Sequence, residues 1–436
     1  MKIFINTFGS RGDVQPFIVL GKALKEKGHT VMICTASRFE TEVTKSGLEY
    51  GYITNEVFAL LDADNTILED SLGIIGMAKV SLKLIKIAKP INKKMVQNAW
   101  YAAKDFKPDL VIYHPKALGA VSIAEKFNVP AILISLTPML APTAEFPVFG
   151  MPNLKLGGWY NRLTYKLVLM GYNSYIKELN DIRINEMDLK KLPKYTGISA
   201  MYDRSPVPNI HAISPHVLSR PKDWPSIYTM SGYIIDEQEE QWTPSAALQE
   251  FLATGEPPVY VGFGSMSGSN PERLTNMVID ALTQANVRGI IATGWGGLKA
   301  MDLPEHILKI EETPFAWLFP QMAAVVHHGG AGTTAAGLRA GRPTVICPFF
   351  GDQPFWGDQV VRLGAGLKVS SQKRLKAEEL ADAICKVTTD IEIQEAAIVL
   401  GKRIQSEDGV LNAINTIEDI MAESKKDLLR INSTSK

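Results

Sequence analysis

The sequence predicts an α/β protein of two doubly wound domains, each built on a parallel sheet. The chain has 436 residues, and this length favours two domains of about 200 residues each over a single core. Short apolar runs alternate with amphipathic stretches in both halves, as in parallel sheets covered by helices on both faces. A polar, acidic run at residues 236–241, DEQEEQ, separates the two series and is predicted to be the linker.

Local patterns predict each element. Apolar runs predict strands at residues 2–6, 30–35, 109–113, 130–135, 258–263, 289–293, 323–327 and 343–348. Apolar residues at helical spacing predict helices at residues 16–27, 116–127, 270–286, 331–341 and 376–389. In the first helix, Phe17, Leu20 and Leu24 share one face, and Gly28 ends it.

The predicted domains span residues 1–236 and 237–436, and the C-terminal helix is expected to pack back on the first domain. Open α/β sheets bind ligands at the carboxyl ends of their strands. The two domains are therefore predicted to face each other across a cleft that holds the ligands.

Composition excludes several classes of protein. Lys and Arg total 46 and Asp and Glu total 46, and this balance argues against nucleic acid as the partner. The cysteines Cys34, Cys347 and Cys385 lie far apart, so neither a disulfide framework nor a metal knuckle is expected and a reducing cytosol fits best. The N-terminal apolar run is too short for a signal peptide. No window of about 18 uncharged apolar residues predicts a membrane span.

The segment 327–341, HHGGAGTTAAGLRAG, follows an apolar strand and opens a helix. Gly329, Gly330 and Gly332 let the backbone approach a ligand, and the helix N-terminus presents free N–H groups to an anion. His328, Thr333 and Thr334 add donors. The segment predicts a phosphate site, and the alternative is a glycine-rich turn required only for strand–helix packing.

Two further segments carry polar side chains after predicted strands. The loop 262–268, GFGSMSG, departs from the dinucleotide fingerprint and lacks the lysine of a P-loop, so Ser265 is a hydroxyl donor to a diphosphate or part of a plain turn. Asp352 and Gln353 place a carboxylate beside an amide, which suits the vicinal hydroxyls of a sugar. The alternative for Asp352 is a helix N-cap.

The stretch 313–366, which contains VVHHGGAGTTAAGLRAG and PFFGDQPFWGDQ, resembles the nucleotide-sugar signature of family 1 glycosyltransferases with the GT-B fold. Residues 6–31, NTFGSRGDVQPFIVLGKALKEKGHTV, resemble the start of the same family. GSRGDVQP together with PFFGDQPFWG is most similar to sterol 3-β-glucosyltransferases. The segments HPKALGAVSIAEKFNVP, PTAEFP and GGWYNRLTY resemble that subgroup too. The resemblance implies two Rossmann-like domains and covers both.

The resemblance also implies roles for individual residues. The segment from Thr313 to Trp317 would face a uracil, with packing as the alternative for Trp317. The residues expected to hold the diphosphate are Ser265, His328, Gly330, Gly332 and Thr333. Asp352 and Gln353 would hold the sugar hydroxyls, and Ser10 and Glu145 would lie on the acceptor side. The UDP-sugar is a co-substrate, and neither a metal nor another cofactor is expected.

Asp13 occupies the position of the general base in this resemblance. It follows the first predicted strand, and an inverting transfer needs one base to take the acceptor proton, worth about 10²–10⁴-fold in rate. The alternative is a cap for a helix that starts near Val14. Plant members have a histidine base oriented by an aspartate, so His114 is expected to pair with Asp13 or else to be a satisfied histidine at the sheet edge.

Two candidate metal motifs are dismissed. Asp62 and Asp64 form a DxD triplet without a preceding strand. His327 and His328 are adjacent at a strand end, so their side chains point to opposite faces.

Residues 71–104 contain seven lysines and no acidic residue, and Lys79, Lys83 and Lys86 would share one face of a helix. This pattern predicts either a helix lying on an anionic membrane surface or a solvated charged face.

The sequence therefore predicts a cytoplasmic enzyme, peripheral at a membrane, that moves glucose from UDP-glucose to a sterol or similar lipophilic alcohol. One alternative is a natural-product glycosyltransferase that uses a UDP- or TDP-sugar and a polyketide, flavonoid or peptide acceptor. Alternatives of another class are a nucleotide-sugar epimerase and a non-catalytic protein that binds nucleotide sugars.

Overall fold

The structure is a computed structural model that describes residues 1–56, 58, 73–194, 207–235, 242–264, 271–292, 303–311 and 313–434. The chain folds into two compact units. Unit 1 comprises Met1–Ile213, Arg220–Ile235 and Asp408–Lys436, and unit 2 comprises Ser214–Ser219 and Asp236–Glu407. The predicted linker, residues 236–241, lies outside the described residues.

Unit 1 is built on a parallel sheet with the strand order β3-β2-β1-β4-β5-β6-β7. Its strands are β1 (Lys2–Asn6), β2 (Thr30–Ala36), β3 (Glu49–Ile53), β4 (Leu110–Tyr113), β5 (Ala131–Ser135), β6 (Asn209–His211) and β7 (Tyr228–Met230). The helices up to residue 185 are α1 (Arg11–Glu26), α2 (Glu40–Lys45), α3 (Gly73–Phe106), α4 (Ala120–Phe127), α5 (Gly158–Asn173) and α6 (Ile176–Asn185). β1 and β4 are almost wholly buried, as expected for central strands of a covered parallel sheet.

Helix α1 begins at Arg11 rather than at the predicted residue 16. Ser10 is its N-cap, and the Asp13 side chain accepts a hydrogen bond from the Ser10 backbone N–H, which completes a capping box. This arrangement satisfies backbone N–H groups that the first turn leaves free. The predicted start at Pro16 was therefore wrong, and Pro16 lies inside the helix.

Unit 2 repeats the architecture on a parallel sheet with the order β10-β9-β8-β11-β12-β13. Its strands are β8 (Val259–Gly262), β9 (Gly289–Ala292), β10 (Ile307–Ile310), β11 (Ala324–His327), β12 (Thr344–Ile346) and β13 (Gly366–Lys368). Its helices are α7 (Ala246–Ala253), α8 (Pro271–Gln284), α9 (Phe315–Leu318), α10 (Ala331–Arg339), α11 (Gln353–Arg362), α12 (Ala377–Thr389) and α13 (Ile391–Gln405).

The last helix, α14 (Gly409–Thr434), belongs to unit 1 and packs against α1. Its apolar residues Ala413, Ile414 and Ile417 are buried in the core of that unit. The Asn412 side chain donates to the Ser231 carbonyl at 2.9 Å. Apolar burial and this hydrogen bond attach the end of the chain to unit 1.

Two parallel sheets covered by helices confirm the predicted α/β class. Within the part of the chain that the structure describes, no helix combines the length and the apolarity that a membrane span requires.

Candidate active site

In unit 1, the strand order brings Asp13 and His114 together. β1 and β4 are adjacent and parallel, with Asn6 paired to Tyr113, so the segments that follow them leave the same edge of the sheet. Asp13 lies in the first turn of α1, and His114 directly follows β4. The Nε2 atom of His114 lies 3.3 Å from Oδ1 of Asp13.

Hydrogen bonding fixes which nitrogen of His114 carries the proton. The backbone N–H of Lys116 donates to Nδ1 of His114 at 3.2 Å, so the ring proton lies on Nε2 and points at Asp13. Burial, together with the charge of Lys116, lowers the pKa of His114 more than the neighbouring Asp13 raises it. His114 is thus a neutral donor that orients the Asp13 carboxylate.

Asp13 is surrounded by donors. Its Oδ2 accepts from the backbone N–H of Ser10 at 2.8 Å and from the Ser10 hydroxyl at 3.0 Å. The ammonium of Lys116 lies 2.9 Å from both carboxylate oxygens. Burial raises the pKa of Asp13, but the charge of Lys116 and the hydrogen bonds from His114 and Lys116 outweigh it and hold the pKa well below its ordinary value. The carboxylate is therefore ionised at neutral pH.

Sequence analysis did not single out Lys116. The only signal was its position two residues after His114, in the sequence HPK. Its contact with Asp13 joins residues that are 103 positions apart, and such a contact depends on the sheet order.

The other acceptor-side candidates have local roles. Ser10 is the N-cap of α1. The Glu145 carboxylate accepts a hydrogen bond from the backbone N–H of Lys222 at 2.8 Å. This bond ties the loop after β5 to the segment before β7, and contact of either residue with an acceptor stays a prediction.

In unit 2, the loop after β11 and the first turn of α10 contain glycines of two kinds. Gly329 has a φ of +92°, and a Cβ there would lie 2.6 Å from the Ile346 side chain. Gly329 is therefore required by packing. Gly332 differs, because a Cβ there would meet no atom of the described chain within 4 Å. Nothing in the described packing requires glycine at this exposed position in the first turn of α10.

His328 has an unsatisfied polar atom. Its Nδ1 is buried and, among the described residues, has no hydrogen-bond partner. Burial lowers the pKa of His328 to about 4, so the ring is neutral. A Cβ on Gly330 would lie 2.6 Å from the ring, and one on Gly264 would lie 3.4 Å from it. The ring thus lies between the loops after β8 and β11, with a polar atom left for a ligand.

Neighbouring residues of β11 and α10 also differ in whether the fold uses their polar groups. The Thr334 hydroxyl donates to the Gly330 carbonyl at 2.9 Å, so it is used within the helix. Thr333, one residue earlier, is half-buried. His327 accepts from the Gly329 backbone N–H through Nδ1 at 3.0 Å, which assigns it to the turn. In the described part of the chain, no group of His, Cys, Asp and Glu side chains is arranged to hold a metal ion.

Asp352 and Gln353 start helix α11. Asp352 takes the N-cap position, but its side chain makes no cap hydrogen bond; it accepts from the Trp356 indole at 2.8 Å. The Gln353 side-chain oxygen accepts from the backbone N–H groups of Phe349 and Phe350 at 2.7 and 3.1 Å. Because these bonds use the side-chain oxygen of Gln353, its NH₂ group is the one that can donate to a ligand.

Trp317 packs against Trp242, with ring centroids 4.9 Å apart and planes at 58°. This contact corresponds to the packing alternative for Trp317. The Thr313 hydroxyl donates to the Glu311 carbonyl at 3.2 Å.

Several predicted residues fall outside the described part of the chain. Ser265, Asp62 and Asp64 are among them. The basic segment 71–104 is helical from Gly73 onward, within α3. The side chains of Lys79, Lys83 and Lys86 are not among those described, so membrane contact through them stays a prediction.

Comparison with known proteins decides the family. Residues 3–144 match the glycosyltransferase family 28 N-terminal domain, and residues 277–415 match the erythromycin biosynthesis protein CIII-like C-terminal domain. The chain is 34% identical to the sterol 3-beta-glucosyltransferase UGT80A2 of Arabidopsis thaliana, over 98% of this chain and 67% of that protein. The chain belongs to the sterol 3-beta-glucosyltransferase family. It is therefore a glycosyltransferase, as predicted, and this favours transfer over the epimerase alternative.

Other relatives agree with this family assignment. A sterol 3-beta-glucosyltransferase of Pichia angusta is 36% identical, over 95% of this chain and 33% of that protein. Among solved structures, the glycotransferase of kitacinnamycin has a TM-score of 0.71 at 18% identity, covering 96% of this chain and 98% of that one. The calicheamicin glycosyltransferase CalG4 has a TM-score of 0.69 at 17% identity, covering 97% and 98%. These structural similarities confirm that the chain has the predicted GT-B fold.

Proposed function

We propose that this glycosyltransferase moves glucose from UDP-glucose to the hydroxyl of a sterol or a similar lipophilic alcohol, with inversion at the anomeric carbon. The observation that carries the proposal is the ionised Asp13 carboxylate at the carboxyl edge of β1, oriented by His114. The relatives named as sterol 3-beta-glucosyltransferases support the choice of acceptor.

In the acceptor step, the hydroxyl oxygen of the acceptor attacks C1 of the sugar while Asp13 takes the proton of that hydroxyl. The bond between C1 and the diphosphate breaks, and the UDP leaves with the electron pair. Lys116 holds the carboxylate in the described arrangement and lowers its basicity. An acceptor hydroxyl that takes the place of the ammonium would raise the pKa of Asp13, since a nearby cation is what lowers it.

In the donor step, the N-terminus of α10 stabilises the charge that grows on the diphosphate. Its free N–H groups and partial positive charge are suited to an anion. His328, Gly332 and Thr333 border this terminus, and the unsatisfied Nδ1 of His328 supports a ligand there. The sugar hydroxyls are assigned to Asp352 and Gln353. No metal takes part in this proposal, because the helix terminus supplies the positive charge.

The direct test is an incubation with UDP-glucose and a panel of sterols and phenols, followed by mass spectrometry. We expect a sterol glucoside and UDP in equal amounts, with the β configuration by NMR. UDP release without a glycoside, or an epimerised sugar nucleotide, would contradict the proposal. Faster transfer from TDP-glucose to a phenol would favour the natural-product alternative.

Replacing Lys116 with methionine is expected to move the acid limb of the kcat/KM–pH profile to higher pH. The substitution removes the charge that lowers the pKa of Asp13, so the carboxyl group becomes protonated at a higher pH and stops acting as a base there. Lys45→Met, at an exposed lysine of α2, is the matched control and should leave the profile unchanged. An unshifted limb in Lys116→Met would show that Asp13 does not limit the rate on the acid side.

A further inference from the structure

Helix α5 presents a row of large apolar side chains to solvent. Trp159, Leu163, Leu167 and Met170 are 65%, 42%, 46% and 66% exposed. Spacings of three and four residues put them on one face of the helix. The preceding loop adds Leu154 and Leu156, which are 53% and 50% exposed. We call this set the α5 surface: Leu154, Leu156, Trp159, Leu163, Leu167 and Met170.

The opposite face of α5 is firmly attached to unit 1. Thr164, Tyr165 and Leu169 are buried. The Asn161 side chain donates to the Ala144 carbonyl at 2.8 Å, and the Val148 backbone N–H donates to the Thr164 hydroxyl at 2.9 Å. The exposed row is thus displayed by a fixed helix. Contiguous exposed apolar groups of this kind mark an interaction surface.

The segment that carries the α5 surface has charges of one sign. Residues 146–177 contain no acidic residue, whereas Lys155 and Lys166 lie within or beside the row of apolar side chains. Both lysines are exposed. Arg162, also exposed, pairs with Asp223 at 2.8 Å. An apolar stripe with tryptophan, bordered by lysines, is complementary to an anionic lipid surface.

The position of the α5 surface in unit 1 fits this partner. The loop that leads to α5 leaves the carboxyl edge of β5, which pairs with β4. The same edge holds His114 and, through β1, Asp13. A helix face is convex, whereas sites for small molecules are concave, so a flat partner suits it better than a single acceptor molecule.

We propose that the α5 surface docks the enzyme onto an anionic lipid bilayer. Trp159 and the leucines enter the boundary between headgroups and acyl chains, and Lys155 and Lys166 contact the anionic headgroups. Docking by this surface holds unit 1, which carries Asp13, at lipids in which a lipophilic alcohol is dissolved.

The test is flotation of the full chain with phosphatidylcholine vesicles, with and without phosphatidylserine, in the absence of donor and acceptor. The double variant Trp159→Ser/Leu163→Ser is expected to lose roughly tenfold or more of its partitioning onto vesicles containing phosphatidylserine. Lys155→Glu/Lys166→Glu should weaken binding to these vesicles only. Ile391→Ser/Ile398→Ser is the matched control, because these α13 residues of unit 2 are 68% and 45% exposed.

Unchanged partitioning in Trp159→Ser/Leu163→Ser would overturn the proposal. A second arm compares transfer to a sterol embedded in vesicles with transfer to the same sterol held in cyclodextrin. We expect the double variant to lose activity on vesicles alone. Equal loss of activity on the vesicle and cyclodextrin sterols would overturn membrane docking and assign the surface to acceptor binding. A change in the mass measured by light scattering, with unchanged vesicle partitioning, would instead assign the surface to self-association. Because flotation is measured without donor or acceptor, its result tests membrane docking independently of the proposed glucose transfer.

Discussion

Replacing Asp13 with asparagine is expected to lower the rate of glucose transfer by about 10²–10⁴-fold, the contribution typical of a general base. Asparagine keeps the shape of the side chain, and its amide oxygen can still accept the Ser10 backbone N–H that closes the capping box. It cannot take a proton. The measurement is steady-state glucoside formation at saturating donor, together with UDP affinity by calorimetry.

UDP affinity should be unchanged in Asp13→Asn, because the donor-binding residues of the proposal all belong to unit 2. Asp109→Asn is the control. Asp109 accepts a backbone hydrogen bond from Lys2 at 2.7 Å at the amino edge of the sheet, away from the proposed base. Loss of UDP binding together with transfer would mean that Asp13 is structural rather than catalytic.

Replacing Gly332 with valine is expected to weaken UDP binding by about 10- to 150-fold without lowering the melting temperature. The fold tolerates a side chain there, since a Cβ would meet no described atom within 4 Å, and valine has a slightly higher helix propensity than glycine. The side chain would cover the N-terminus of α10 and remove hydrogen bonds to a charged diphosphate, each worth about 1.5–3 kcal/mol.

Calorimetry with UDP and a thermal unfolding curve together check this expectation. Gly171→Val is the control, because Gly171 in α5 also has open space around its Cβ, and it should leave UDP affinity unchanged. Gly329→Val should instead lower the melting temperature, since its Cβ would lie 2.6 Å from Ile346. Normal UDP binding by Gly332→Val would show that the diphosphate lies elsewhere.

The strands that sequence analysis found and those that it missed differ in their apolar content. The predicted strands include β1, β4, β8 and β11, which lie in the middle of the sheets and form continuous apolar runs. Five strands were missed. β3, β7, β10 and β13 are the four edges of the two sheets, and the fifth, β6, is an interior strand of three residues, NIH, with a single apolar side chain. Edge strands are partly exposed and short, so they lack the apolar run that indicates a buried strand.

In the candidate sites, local sequence patterns predicted the positions of the polar residues but not their hydrogen-bond partners. The order strand, glycine-rich loop and helix around residues 324–339 predicted an anion site, and the position of Asp13 after β1 predicted a carboxylate at the sheet edge. Nothing local showed that Gln353 uses its side-chain oxygen on the backbone of Phe349 and Phe350. Hydrogen-bond partners in a folded loop depend on its final path, which local residue patterns do not encode.

The sequence by itself determined the fold class and the identity of the polar residues that follow the central strands, because apolar periodicity and glycine-rich turns are local properties. The family followed from the resemblance of its motifs to those of known glycosyltransferases. The tertiary structure alone decided that Lys116 holds Asp13, that Gly329 serves packing while Gly332 does not, and that α5 carries an exposed apolar face. Each of these depends on which distant segments lie side by side. The pairing of β1 with β4 sets the first, and the packing of α5 against unit 1 sets the last.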